Sequence, residues 1–109
     1  MTDEIFRSSD QNGNHAFGVF EYDGEVGYLY FYDQSRLSNN VVAHVRIIAG
    51  RIDFNDRDIE ITWSKDRNYL GLYIKNTLWA VFDTNGIKYG GNYVSGGRPD
   101  IPSAIVAMF

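Results

Sequence analysis

No cysteine occurs among the 109 residues of this chain. That excludes a disulfide framework, thiol catalysis and any metal held by cysteine. Proline occurs twice, as Pro99 and Pro102, both in the tail. Histidine also occurs twice, as His15 and His44, and neither has a histidine neighbour at metal-ligand spacing. No apolar run approaches the roughly 20 residues that a bilayer-spanning helix needs. The first residues, Met-Thr-Asp-Glu-Ile-Phe-Arg, are polar and acidic rather than basic then apolar, so a soluble, cytoplasmic protein is expected. A basic excess is missing too: 10 Lys and Arg stand against 14 Asp and Glu, a net charge of −4. Phosphate binding needs a basic face, so nucleic acid is not an expected partner.

Aromatic rings are what the chain has in quantity, at 16% of residues. Each buried ring removes roughly 150–250 Å² from water, so a domain of this size can hold a core without staples. Between Phe17 and Asp33 two ring-bearing runs flank Asp23-Gly24. Bulky rings and β-branched side chains suit a pleated surface, and Asp-Gly suits a tight hairpin.

The same alternation continues downstream. Strands are expected over 15–22, 26–32, 41–49, 59–63, 69–74 and 78–82, with a short return at 87–89. Segment 41–49 is also compatible with a helix, but its β-branched residues and Gly50 favour a strand, with His44 and Arg46 on one face and Val41, Ala43, Val45 and Ile47 on the other. Turn residues at 64–68, 75–77 and 84–86 separate the later runs. Roughly seven strands at this spacing predict an all-β fold, an antiparallel meander forming a small barrel or sandwich. Residues 1–14 read as a flexible arm and 15–109 as one domain. After Gly90 the chain turns Gly- and Pro-rich, then ends in the apolar run Ala104–Phe109. That end reads as a last strand or short helix on the core, or as a subunit contact through Ile105, Val106, Met108 and Phe109.

Catalytic constellations are not evident. The serines sit in polar loops without a Gly-x-Ser-x-Gly elbow, and no phosphate-binding glycine fingerprint opens a helix. Asp10, Asn12, Asn14, Phe17 and Glu21 fall at positions 1, 3, 5, 8 and 12 of a calcium loop, but His15 stands where such a loop needs glycine. Asp53, Asp56, Asp58 and Glu60 form an acidic group interleaved with Arg57 and preceded by Arg51, as on a solvated connector. No catalytic residue, metal or cofactor is therefore expected. What remains is surface: Tyr22, Tyr28, Tyr30 and Tyr32 with His44 and Arg46 form a candidate interaction surface.

Phe20-Glu21-Tyr22-Asp23-Gly24-Glu25-Val26-Gly27-Tyr28-Leu29-Tyr30, with Trp63-Ser64-Lys65-Asp66 and Ala80-Val81-Phe82-Asp83, resembles a family of short uncharacterised bacterial proteins over residues 15–90. The resemblance brings no activity, cofactor or site residue with it.

The expected role is a non-enzymatic binding or protein-interaction module, engaging a protein partner or itself as a homodimer. An acidic immunity-type protein that masks a basic toxin is one form of it. The alternative is a small-ligand barrel or enzyme, with an aromatic-lined pocket on which His44, Arg46 or Asp53 converges.

Overall fold

A computed structural model describes residues 4–10, 15–36 and 38–109. Among them are eight strands, every pairing antiparallel, in two sheets of four. The first sheet runs β1 (Ile5–Ser8), β2 (Ala16–Tyr22), β3 (Val26–Asp33), β4 (Val41–Ala49). The second runs β5 (Ile59–Trp63), β6 (Tyr69–Ile74), β7 (Thr77–Asp83), β8 (Lys88–Gly90). A one-turn helix, α1, spans Ser103–Val106, and no helix is long and apolar enough to cross a membrane. The all-β antiparallel fold is as expected. Of the two forms left open it is the sandwich, since the sheets do not close into a barrel.

Alternation places the core between the sheets. Phe20, Leu29, Phe31 and Ile47 of the first sheet meet Ile59, Leu70, Leu72, Ile74 and Phe82 of the second, none more than 2% exposed. Phe31 crosses the seam, with its ring centroid 6.0 Å from Phe82 and 6.1 Å from Trp63. Opposite Phe31 in the register lies Gly18. A Cβ there would meet Leu70 Cδ2 at 2.5 Å, so bare backbone is what lets the second sheet approach.

The hairpins follow from their turns. Asp23 Oδ1 accepts from the amides of Glu25 and Val26, both at 2.8 Å, and Gly24 takes a positive φ of 99°. Lys75 and Asn76 both adopt positive φ between β6 and β7, the backbone of a tight primed turn.

One difference from the sequence reading lies at the N-terminal end. Residues 5–8, placed in an arm, form β1 on the edge of the first sheet, with Ile5 buried. Trp63 Nε1 also donates to the Asp10 carbonyl at 2.8 Å, tying the end of that stretch to β5. In β7, Leu78 through Phe82 are buried without a break. Trp79, Ala80 and Phe82 join the main core, whereas Leu78 and Val81 pack with Ile105 on the outer face.

The C-terminal run takes the first of the two forms expected for it. It is a short helix docked on the second sheet, with Ile105 buried, Met108 and Phe109 half-buried and Val106 46% exposed. Lys65 N donates to the Met108 carbonyl at 2.9 Å. Three of the four residues considered for a subunit contact are thus engaged wholly or partly within the chain.

Candidate functional site

Strand register writes the outer face of the first sheet as rows across β1 to β4. Phe6, Glu21, Tyr28 and Arg46 form one row. Ser8, Val19, Tyr30 and His44 form the next, and Phe17, Tyr32 and Val41 a third. Tyr28, Tyr30 and Tyr32 therefore make a ridge down β3, with ring centroids 5.8 and 6.1 Å apart. His44 lies 6.0 Å from Tyr28 and 6.1 Å from Tyr30. Phe17 stacks on Tyr32 at 5.2 Å and 8° between planes. The tyrosines are half-buried by one another, while Glu21, His44 and Arg46 are exposed and Phe6 is 67% exposed. Desolvation on this ridge pushes the Tyr30 hydroxyl above its ordinary pKa, helped by the negative charge of Glu21. Among the described residues, neither hydrophobic cluster takes in the ridge, and its ring contacts all stay within the first sheet.

Tyr22 does not belong to this surface, a correction to the sequence reading. It faces the sandwich interior, 3% exposed, and its hydroxyl donates to the Gly50 carbonyl at 2.6 Å. Side chains alternate, so exposed Glu21 and buried Tyr22 must point opposite ways. The charge on Glu21 was the available signal for the parity of β2.

A second constellation lies at one end of the sandwich. Asp53 sits on the link between the sheets. Tyr93 Oη donates to Asp53 Oδ1 at 2.7 Å, Ser95 Oγ donates to Oδ2, and Lys75 Nζ stands 3.2 Å from Oδ2. Tyr93 is itself held by Trp79 and Phe54, at ring distances of 4.8 and 5.2 Å, and its amide donates to the Ile47 carbonyl at 2.7 Å. The Ser95 and Tyr93 hydroxyls hold the Asp53 carboxyl down to about 2. Burial, then the bond to Asp53, pushes the Tyr93 hydroxyl up to about 12. A carboxylate so acidic, with both oxygens engaged, is an anchored anion and a poor proton shuttle near neutrality.

The acidic group read from sequence is split by the fold. Asp58 accepts from Asn55 N at 2.9 Å, while Asn55 Oδ1 accepts from Arg57 N at 3.0 Å, a capping box on the 3-10 turn Asp56–Asp58. Glu60 points outward from β5. Among the described residues no three His, Asp or Glu side chains gather as a metal site would require. Of the calcium-loop positions, Asn12 and Asn14 lie outside the described residues, and Glu21 is on a strand. His15 precedes β2 with a φ of +67°, and His44 stands on the tyrosine face. Of the polar groups considered for a pocket, Asp53 lines a surface groove of about 550 Å³ with Glu4, Ile5, Ile52, Phe54, Asn55 and Asp56. His44 and Arg46 stand on the flat face instead.

A family sequence model matches residues 1–91. The chain belongs to the DUF2251 family, uncharacterised proteins conserved in bacteria. The DUF2251 match takes in the N-terminal residues that the motif resemblance, confined to 15–90, left outside. Both sheets and the whole tyrosine face fall within the DUF2251 region, whereas Tyr93, Ser95 and the docked C-terminal run lie beyond it. No curated protein and no solved structure gives a match.

Sequence reasoning missed Tyr93 and Ser95, which reach Asp53 across 40 and 42 residues. No local pattern marks so distant a pairing. It also missed Phe17, which shares the parity that exposed Glu21 indicates, and Phe6, which only the pairing of β1 with β2 brings to this face.

Proposed function

We propose that this DUF2251 protein is a non-catalytic protein-interaction module whose contact surface is the tyrosine face of the first sheet. The observation that carries it is the contrast between the two outer faces. The chain lays Ile101, Ile105 and Phe109 over the outer face of the second sheet. On the outer face of the first, five rings including His44 cluster, and neither hydrophobic cluster of the described residues reaches them. A contiguous patch of half-buried rings flanked by exposed charges is the kind of surface that marks association sites. Tyrosine combines a large apolar body with a polar tip and is enriched at interface centres. The sandwich interior is filled with side chains and the Asp53 oxygens are already engaged, which gives the small-ligand alternative less support.

Affinity capture from the native host tests the reading, with the wild type compared against the Tyr28→Ala/Tyr30→Ala/His44→Ala variant. Specific partners identified by mass spectrometry should be lost from the variant. Each loss should be reproduced by calorimetry with the purified partner. Partners retained equally by both proteins would count against this face.

A further inference from the structure

We propose that the tyrosine face takes a second copy of this chain, docked about a two-fold axis that runs along β3 in the plane of contact. The inference rests on the interaction-module reading of the same face and names its occupant.

When two copies of one surface meet face to face, the two-fold axis lies in the contact plane. With that axis along β3, each copy lays β2 over β4 of the other and β3 over β3. Positions at one level along the strands stay at that level. The first row then decides the matter. Glu21 and Arg46 are register partners of Tyr28 on its two sides, so they share a level. Rotation sets Glu21 over the partner's Arg46 and Arg46 over the partner's Glu21, so two opposite-charge pairs form together.

The remaining rows agree. Tyr28, Tyr30 and Tyr32 meet their own counterparts as a ridge of rings, Val19 lies under the partner's His44, and Phe17 under the partner's Val41. An axis across the strands through Tyr30 does worse. It inverts the levels, setting Glu21 over the partner's Phe17 and Arg46 over the partner's Val41, with both charges facing apolar groups.

Within one copy the two charges are not satisfied by each other. They lie two strand spacings apart, roughly 10 Å, with Tyr28 between. Both are exposed, and neither forms an ion pair among the described residues. The charge pattern is thus divided in the chain and completed by rotation. Twisted sheets pack in this way with their strands within about 30° of alignment.

Light scattering and sedimentation equilibrium on the full chain test the proposal. The wild type should be a dimer. Arg46→Glu sets like charges opposite each other and should weaken self-association about tenfold or more, as should Glu21→Arg. The double variant Glu21→Arg/Arg46→Glu should restore wild-type association. Thermal unfolding and circular dichroism confirm that each exposed substitution leaves the fold intact. A wild type that stays monomeric at millimolar concentration overturns the proposal, as does a dimer that both single reversals leave unchanged. Failure of the double variant to recover overturns the axis.

The two readings fail separately. A monomeric wild type whose host partners are lost in the Tyr28→Ala/Tyr30→Ala/His44→Ala variant removes the second copy and leaves the face. A dimer that survives in that variant, with host partners retained, removes both.

Discussion

Phe109 occupies the space that a side chain at Gly71 would need. A Cβ on Gly71 would lie 2.6 Å from Phe109 Cε2 and 2.8 Å from Leu78 Cδ1. The glycine in the middle of β6 is therefore a socket for the last residue of the chain, whose ring also meets Tyr73 edge-on at 6.2 Å. Gly71→Ala is expected to lower stability by about 1–3 kcal/mol through overpacking. In the Phe109→Ala background the same substitution should be less costly, because one of the two clashes is gone. Urea unfolding of the two single variants and the double closes this cycle. Strict additivity would show that the ring does not fill the socket.

Acid and alkali should both loosen the Asp53 anchor. The folded carboxyl is held at about 2, below its ordinary value of 3.8. Its stabilisation is complete above the ordinary value and is lost as pH falls from there toward 2. Tyr93 runs the other way, raised from 10.0 to about 12. Its stabilisation is complete below 10 and is lost as pH rises toward 12. Asp53→Asn should flatten the acid limb of a plot of unfolding midpoint against pH, and Tyr93→Phe the alkaline limb. An acid limb unchanged by Asp53→Asn would show that this carboxylate keeps its ordinary proton affinity.

Neighbours in sequence should differ sharply in their effect on stability. Phe31 is 2% exposed between Trp63 and Phe82, and its replacement by alanine should cost about 3–5 kcal/mol. Tyr30, one residue earlier on the other face, touches the rings of Tyr28 and Tyr32 along β3 and of His44 across the strands, and a cross-strand pair is worth about 0.2–1 kcal/mol. Tyr30→Ala, compared with Phe31→Ala by denaturant unfolding at concentrations too low for self-association, should cost distinctly less. Equal losses would mean that the outer face is as closely packed as the core.

Tyr22→Phe removes the hydroxyl that bonds the Gly50 carbonyl. A loss of about 0.5–1.5 kcal/mol is expected from that single bond. Self-association should not change, because Tyr22 points away from the face that carries it. Light scattering beside thermal unfolding separates the two effects.

The strands from β2 to β6 were legible because alternation over five to nine residues has no other simple cause, and β7 because its apolar run lies between turn residues. The shorter β1 was not: four residues, Ile-Phe-Arg-Ser, carry too little pattern to tell from a loop. The Tyr22 side assignment failed for a different reason. Rings occupy both parities of β2, so hydrophobicity alone does not choose the buried face. Glu21 supplied that choice, but only as one residue against many. The Asp53 anchor was beyond local pattern altogether, since its members come from the intersheet link, the β6–β7 turn and the tail. Barrel and sandwich also share one strand pattern. What distinguishes them is the long link from Gly50 to Asp58, along which the chain changes layer.

That link has a mechanical consequence. Every ladder joins strands adjacent in sequence, so neither half borrows a strand from the other. A blade slid between the layers would part apolar side chains and a few clasps at the margins, and break no rung of either ladder. The molecule is two pleated leaves on a single hinge, and a cut through that hinge would leave each leaf its full set of rungs.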